Sequence, residues 1–195
     1  MEAAAHIGIE NDPVFRAGRL EQVFNNCFAD RFNTRLCGGA DEPLYQPAAV
    51  AGAPHILYYR LDYFASALHE VSHWCIAGAR RRCQVDFGYW YAPEGRTIQQ
   101  QLAFEAVECK PQALEWYFSK ACGYRFQVST DNLALAGEGT HDAAAFLRAV
   151  QQQALQWQQQ GLPTRAGIYY RALCSAFGTH IPEQQLRFTL AELQR

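Results

Sequence analysis

Two imidazoles four residues apart, with a carboxylate beside the first, stand in the run His69-Glu70-Val71-Ser72-His73. On a helix, positions i and i+4 share a face, so His69 and His73 can grip one metal ion together. Glu70 lies about 100° around that helix from His69, close enough to address a metal-bound water or to orient a ligand. The plain alternative is a pair of partly buried histidines held by ordinary hydrogen bonds. It is disfavoured because the chain has only six His in 195 residues and two of them fall at this spacing around a Glu.

Two histidines rarely complete a catalytic metal site; a third protein ligand is expected, with further positions left open. Glu105 and Glu108 lie on the first helix expected downstream, which can pack across the histidine helix and aim one carboxylate at the ion. Chain order leaves both open, and either carboxylate can instead lie on a helix surface, or Glu105 can accept the N–H of a ligand imidazole. With zinc, such a site acidifies a bound water, Glu70 takes its proton, and peptide hydrolysis results. With iron(II), two His and one carboxylate leave room for O₂ and substrate, and oxidation results. The pattern taken alone favours the zinc peptidase.

Several elements must position these groups. Phe64, Ala65, Leu68, Val71, Cys75 and Ile76 recur at helical spacing, predicting a helix over about 62–77 that ends at Gly78. Thr97 can cap a helix through Leu102, Phe104 and Val107, which Pro111 is expected to kink or to divide from a short helix through Leu114 and Phe118. Upstream, Asp12-Pro13 predicts the start of a helix with Leu20, Val23, Phe24, Cys27 and Phe28 on its apolar face. Residues 30–54 read as a long Gly- and Pro-rich loop, 55–59 and 84–91 as strands, and 123–139 as loop with some strand. Helices over about 141–160 and 164–177 and an amphipathic piece over 182–193 complete the chain. The expected fold is α+β: a mainly helical single domain over residues 1–195, with a small β-sheet, the H-E-x-x-H helix as metal-binding element, and residues 1–11 flexible.

Composition narrows the function classes. Hydrophobic residues make up 49% and charged residues 18%, which suits a soluble domain with a sizeable interior. A net charge of -2 argues against non-specific nucleic-acid binding. Arg80-Arg81-Arg82 is the local exception, read as a solvated helix terminus or as a contact to an acidic partner. Seven Cys without a C-x-x-C pair read as reduced, buried thiols of a cytosolic protein. The N-terminus lacks the pattern of a secretory signal, and no apolar stretch approaches the ~20 residues that cross a bilayer. No membrane contact and a cytoplasmic location are expected.

The chain resembles the bacterial elongation factor P hydroxylase family. The resemblance lies in Asn33-Thr34-Arg35-Leu36 with Gly39 and Asp41-Glu42-Pro43, and in His69-Glu70 with Ser72-His73-Trp74-Cys75-Ile76-Ala77-Gly78. It continues in Val85-Asp86-Phe87-Gly88-Tyr89-Trp90-Tyr91, in Phe104-Glu105 with Val107-Glu108 and Lys110-Pro111-Gln112-Ala113-Leu114, and in Asp131-Asn132-Leu133. It implies hydroxylation of the β-lysylated lysine side chain of elongation factor P, with a metal held by two His and one carboxylate. Iron(II) with O₂ then replaces zinc as the expected cofactor, and the zinc metallopeptidase becomes the alternative. By position, His69, His73 and one of the two glutamates are the implied ligands. Glu108 is preferred because Glu108-Cys109-Lys110-Pro111-Gln112-Ala113 resembles the ligand helices of other H-E-x-x-H proteins. Glu70 becomes a proton-handling or ligand-orienting group. A long cationic substrate side chain is expected to meet carboxylates, for which Asp41, Glu42 and Asp86 are candidates, and aromatic rings such as Tyr89 and Tyr91.

Overall fold

The computed structural model describes residues 13–85, 97–129 and 143–194. Helix α1, Ala17–Phe32, buries Ala17, Leu20, Phe24 and Phe28, one apolar stripe at helical spacing. It starts later than Asp12-Pro13 suggests. Phe15 is drawn off the helix path and set edge-on against Phe64 and Tyr124, with ring centroids 5.4 and 5.2 Å away. Asn33 ends the helix in the left-handed conformation, at φ 47°.

The segment expected to be loop carries two strands, β1 Thr34–Ala40 and β2 Leu44–Gln46, which join β3 His55–Arg60 in a sheet of order β1-β3-β2. β1 runs parallel to β3, with Leu36 beside Leu57, and β2 runs antiparallel to it. Period-2 burial is present in β1, where Thr34 and Leu36 face inward and Arg35 and Cys37 outward. It is short, and the glycines that follow hide it. One of them has a steric role: a Cβ on Gly38 would lie 2.6 Å from the Tyr59 hydroxyl oxygen and 2.7 Å from the Leu61 carbonyl oxygen. Tyr59 donates its hydroxyl to Glu21 of α1 at 2.9 Å, and the Gly38 N–H reaches the same carboxylate oxygen at 2.8 Å, fastening α1 to the sheet.

Helix α2, Phe64–Ile76, carries the histidine motif and buries Phe64, Ala67, Leu68, Val71, Trp74 and Cys75. Its last turn does not use Gly78: Ala77 leaves the helix in extended conformation, and Arg165 donates to the carbonyls of Trp74 and Ala77. A cation at the negative end of the helix replaces the glycine cap. A 3₁₀ turn, Arg81–Cys83, follows. Gln84 and Val85 are not in a strand, and the remainder of the strand expected over 84–91 lies outside the described residues.

Helix α3, Ile98–Cys122, opens with a reciprocal capping box between Thr97 and Gln100 and closes on Gly123 at φ 70°. Pro111 does not divide it. The proline removes one backbone donor, yet residues 111–119 are all buried, and packing on every side carries the helix through. Helices α4, Ala143–Gln160, and α5, Thr164–Phe177, pack on α3, and α5 also packs on α1 and α2. The amphipathic piece expected over 182–193 resolves into a 3₁₀ turn, Glu183–Gln185, and a single helical turn, α6, Leu190–Leu193. Leu186 and Phe188 between them are buried, pinned by Gln158 and Gln151 of α4. The seven cysteines are unpaired, but Cys37 and Cys83 are exposed rather than buried.

Candidate metal centre

Helices α2 and α3 cross so that His69, His73 and Glu108 converge, with one ligand atom from each within 4.8 Å of the others. The two Nε2 atoms are 3.1 Å apart, His73 Nε2 is 3.2 Å from Glu108 Oε1, and His69 Nε2 is 3.4 Å from Glu108 Oε2. Ligand atoms about 2.1 Å from a common ion stand about 3.0 Å apart at a right angle and about 3.4 Å apart at the tetrahedral angle. The separation of the two imidazole nitrogens and the two histidine–carboxylate contacts, one to each Glu108 oxygen, are of that length. Glu108 Oε2 is buried with no hydrogen-bond partner, an orphaned acceptor of the kind a cation satisfies. The residues fit a divalent metal ion.

The surroundings hold the histidines for this task. His69 Nδ1 lies 2.8 Å from Glu115 Oε2, so with the proton on Nδ1 the ring turns Nε2 toward His73 and Glu108. Glu115 sits seven residues, two helical turns, beyond Glu108 on the same face of α3. Sequence reasoning missed it. The signal was a carboxylate embedded in the apolar run Ala113-Leu114-Glu115-Trp116-Tyr117-Phe118, where a buried charge requires a partner.

The charge pattern follows from these contacts. Burial opposes the imidazolium of His69, but the Glu115 hydrogen bond and the charge of Glu108 outweigh it and raise its pKa to about 10. Burial likewise opposes the Glu108 carboxylate, yet hydrogen bonding from His73 and the charges of both histidines hold its pKa at about 2. Burial raises Glu115, against the pull of His69. Without a metal, the site stores positive charge on His69 between two carboxylates.

The other anticipated residues are placed as follows. Glu105 lies one turn before Glu108, buried and accepting a hydrogen bond from Gln101 Nε2 at 3.0 Å, and is not part of the cluster. Glu70 lines a cavity of about 330 Å³ together with His73, and burial raises its carboxyl above the ordinary range. Asp41 and Glu42 stand exposed on the turn between β1 and β2 and do not line that cavity. Asp86, Tyr89 and Tyr91 lie outside the described residues. The cavity wall includes Arg81, Arg82 and Lys110, so two of the three consecutive arginines face a concavity rather than only solvent.

Residues 23–188 match the family described as Elongation factor P hydroxylase. Among characterised proteins, the chain is 43% identical over 157 residues to the Elongation factor P lysine hydroxylase of Haemophilus influenzae, an overlap of 80% of this chain and 86% of that protein. The chain belongs to the elongation factor P hydroxylase family.

Proposed function

We propose that the protein hydroxylates the β-lysylated lysine side chain of elongation factor P, using iron(II) and O₂ at the His69, His73 and Glu108 centre. The observation that carries this reading is the convergence of those three ligand groups in a chain 43% identical to an elongation factor P lysine hydroxylase. Two His and one carboxylate leave coordination positions open, and iron in such a set supplies O₂ activation when bound. His69 and His73 bind through Nε2, and Glu108 offers an acceptor that is otherwise unsatisfied. Glu70, desolvated beside His73, holds or passes a proton at its carboxyl oxygen and serves as the catalytic carboxylate of the cavity. Neither the family nor the relative supports the zinc metallopeptidase alternative.

The substrate's ammonium groups call for carboxylates, and Asp41 and Glu42 on the exposed turn, with Asp86, are the candidates to meet them; Tyr89 is assigned to its aliphatic stem. Neutralising Asp41 and Glu42 together should raise KM for modified elongation factor P and leave metal content intact; an unchanged KM removes them from the substrate path. No helix among the described residues is long and apolar enough to cross a membrane, in keeping with a cytoplasmic enzyme acting on a translation factor.

Intact-mass analysis of β-lysylated elongation factor P, incubated with the freshly isolated protein with and without air, tests the reaction. One added oxygen atom, dependent on O₂ and on iron in the preparation, is the expected result. Cleavage of a peptide bond that persists without O₂ would establish the hydrolytic alternative instead.

A further inference from the structure

Glu70 stands apart from the other carboxylates around the histidine pair. The three glutamates of α3 are all engaged: Glu105 accepts from Gln101, Glu108 faces both Nε2 atoms, and Glu115 holds His69 Nδ1. Glu70 is half-buried, lines the cavity together with His73, and has neither a hydrogen bond nor an ion pair among the described residues. Its oxygens are not sealed from solvent as Glu108 Oε2 is. A carboxylate held partly out of water without a partner is costly and calls for a cation from outside the fold.

The cavity runs along one stripe of the motif helix. Glu70, His73 and Trp74 of α2, with Ala77 just beyond it, fall at i, i+3, i+4 and i+7, a run of about 10 Å at 1.5 Å per residue. Ala106, Val107 and Pro111 of α3 and Leu57 of β3 add apolar wall. Apolar walls leading to one carboxylate suit a hydrocarbon chain that carries an ammonium. The cations of the wall come from elsewhere in the chain: Arg81 and Arg82 follow the end of α2, and Lys110 is exposed. Arg82 stands over the Phe32 and Trp74 rings at 5.6 and 6.0 Å, and Arg81 has an interaction of its own. With both imidazoles neutral, a divalent ion among Glu70, Glu108 and Glu115, the three carboxylates whose charges act on His69, leaves one negative charge uncompensated. One ammonium balances it.

We infer that Glu70 is a specificity-determining residue: inside this cavity its carboxylate receives an ammonium group of the β-lysylated lysine side chain, and so sets the preference for modified over unmodified elongation factor P. β-Lysylation turns the lysine ammonium into an uncharged amide and adds two ammonium groups farther out along the chain. A carboxylate at a fixed place beside the metal centre therefore distinguishes the two forms. Resting on the hydroxylation reading for its substrate, this binding task is added to proton handling at the same carboxyl, while Asp41 and Glu42, outside the cavity, are left for the second ammonium.

Titration calorimetry without O₂, so that no turnover occurs, compares the binding of β-lysylated and unmodified elongation factor P to the full-length, iron(II)-loaded protein. The wild-type protein should bind the β-lysylated form more tightly. Glu70→Gln, close in shape and with no internal hydrogen bond to lose, should weaken that binding by about ten- to a hundredfold, as loss of a charge-assisted hydrogen bond does. Binding of the unmodified form and the metal content should not change. Glu70→Asp keeps the charge on a shorter stem and should recover part of the loss. A residue that only moved a proton would slow turnover without altering either affinity. The inference is overturned by wild-type affinity in Glu70→Gln, by equal loss for both forms of elongation factor P, or by a loss that follows missing metal. Wild-type protein that binds both forms equally removes the substrate reading and this inference with it, whereas a wild-type preference that survives in Glu70→Gln removes the role of Glu70 alone.

Discussion

His69 Nδ1 and Glu115 Oε2 lie 2.8 Å apart, an ion-pair distance between the first histidine of the motif and a carboxylate 46 positions along the chain. Through this contact Glu115 would act on a bound metal by way of His69. Fixing the ring and raising its basicity both strengthen a ligand imidazole. Glu115→Ala should therefore weaken metal affinity by about 10- to 100-fold, read by competition with a chelator. Glu115→Gln keeps an acceptor for the Nδ1–H and should recover most of the loss. Equal loss in both variants would mean that the charge, not the hydrogen bond, matters.

Glu105 and Glu108 make the second comparison. Glu108 faces both Nε2 atoms with one oxygen otherwise orphaned, whereas Glu105 accepts from Gln101 one turn away. Glu108→Ala should reduce metal affinity by more than about 100-fold, beyond the usual effect of outer-shell changes, while Glu105→Ala retains the metal. Metal analysis of the two purified variants decides. Full occupancy in the Glu108 variant with loss in the Glu105 variant would exchange their roles.

The site was partly legible in the sequence, and what stayed hidden was long-range. The i, i+4 spacing of His69 and His73 is a local fact of helix geometry, readable without a fold. Which glutamate joins them depends on how α3 crosses α2, and no helical period contains that angle. Glu115 was obscured because its neighbours Leu114 and Trp116 made the segment read as plain core. The strands β1 and β2 were missed because Gly38, Gly39 and Pro43 are ordinary loop formers, while β1 gains its stability from pairing with β3, twenty residues on. Pro111 misled for the opposite reason: its local cost is real, but residues 111–119 are buried together and packing outweighs it.

Protonation of the metal-free protein sets a pH dependence. The folded-state pKa of His69, about 10, lies above its ordinary value of 6.5. Its contribution to stability is thus fully present below pH 6.5 and is lost as pH rises through 10. Thermal melting of the apoprotein should show Tm declining across that interval, with a shallower slope in Glu115→Gln, which removes the charge that helps to raise the pKa. The same proton competes with metal. Uptake near neutrality should release about one proton, measurable by calorimetry in buffers of different ionisation enthalpy, and affinity should climb with pH up to the His69 pKa. Proton release absent at pH 7 would mean that His69 is already neutral there.

The link between α1 and the sheet can be tested away from any ligand. Gly38 has no room for a methyl group, since its Cβ would meet the Tyr59 hydroxyl at 2.6 Å and the Leu61 carbonyl at 2.7 Å. Of these neighbours, the hydroxyl is held by Glu21 and the carbonyl by the Gly39 N–H at 2.6 Å, so neither yields freely. Gly38→Ala should cost about 1–3 kcal/mol in chemical denaturation, the usual range for overpacking. Tyr59→Leu in the same background removes both the hydroxyl and the ring carbon Cζ, which would itself lie 2.7 Å from the added methyl, so the double variant should lose less than the two single losses combined. Strict additivity would show that the Leu61 backbone, not Tyr59, sets the cost.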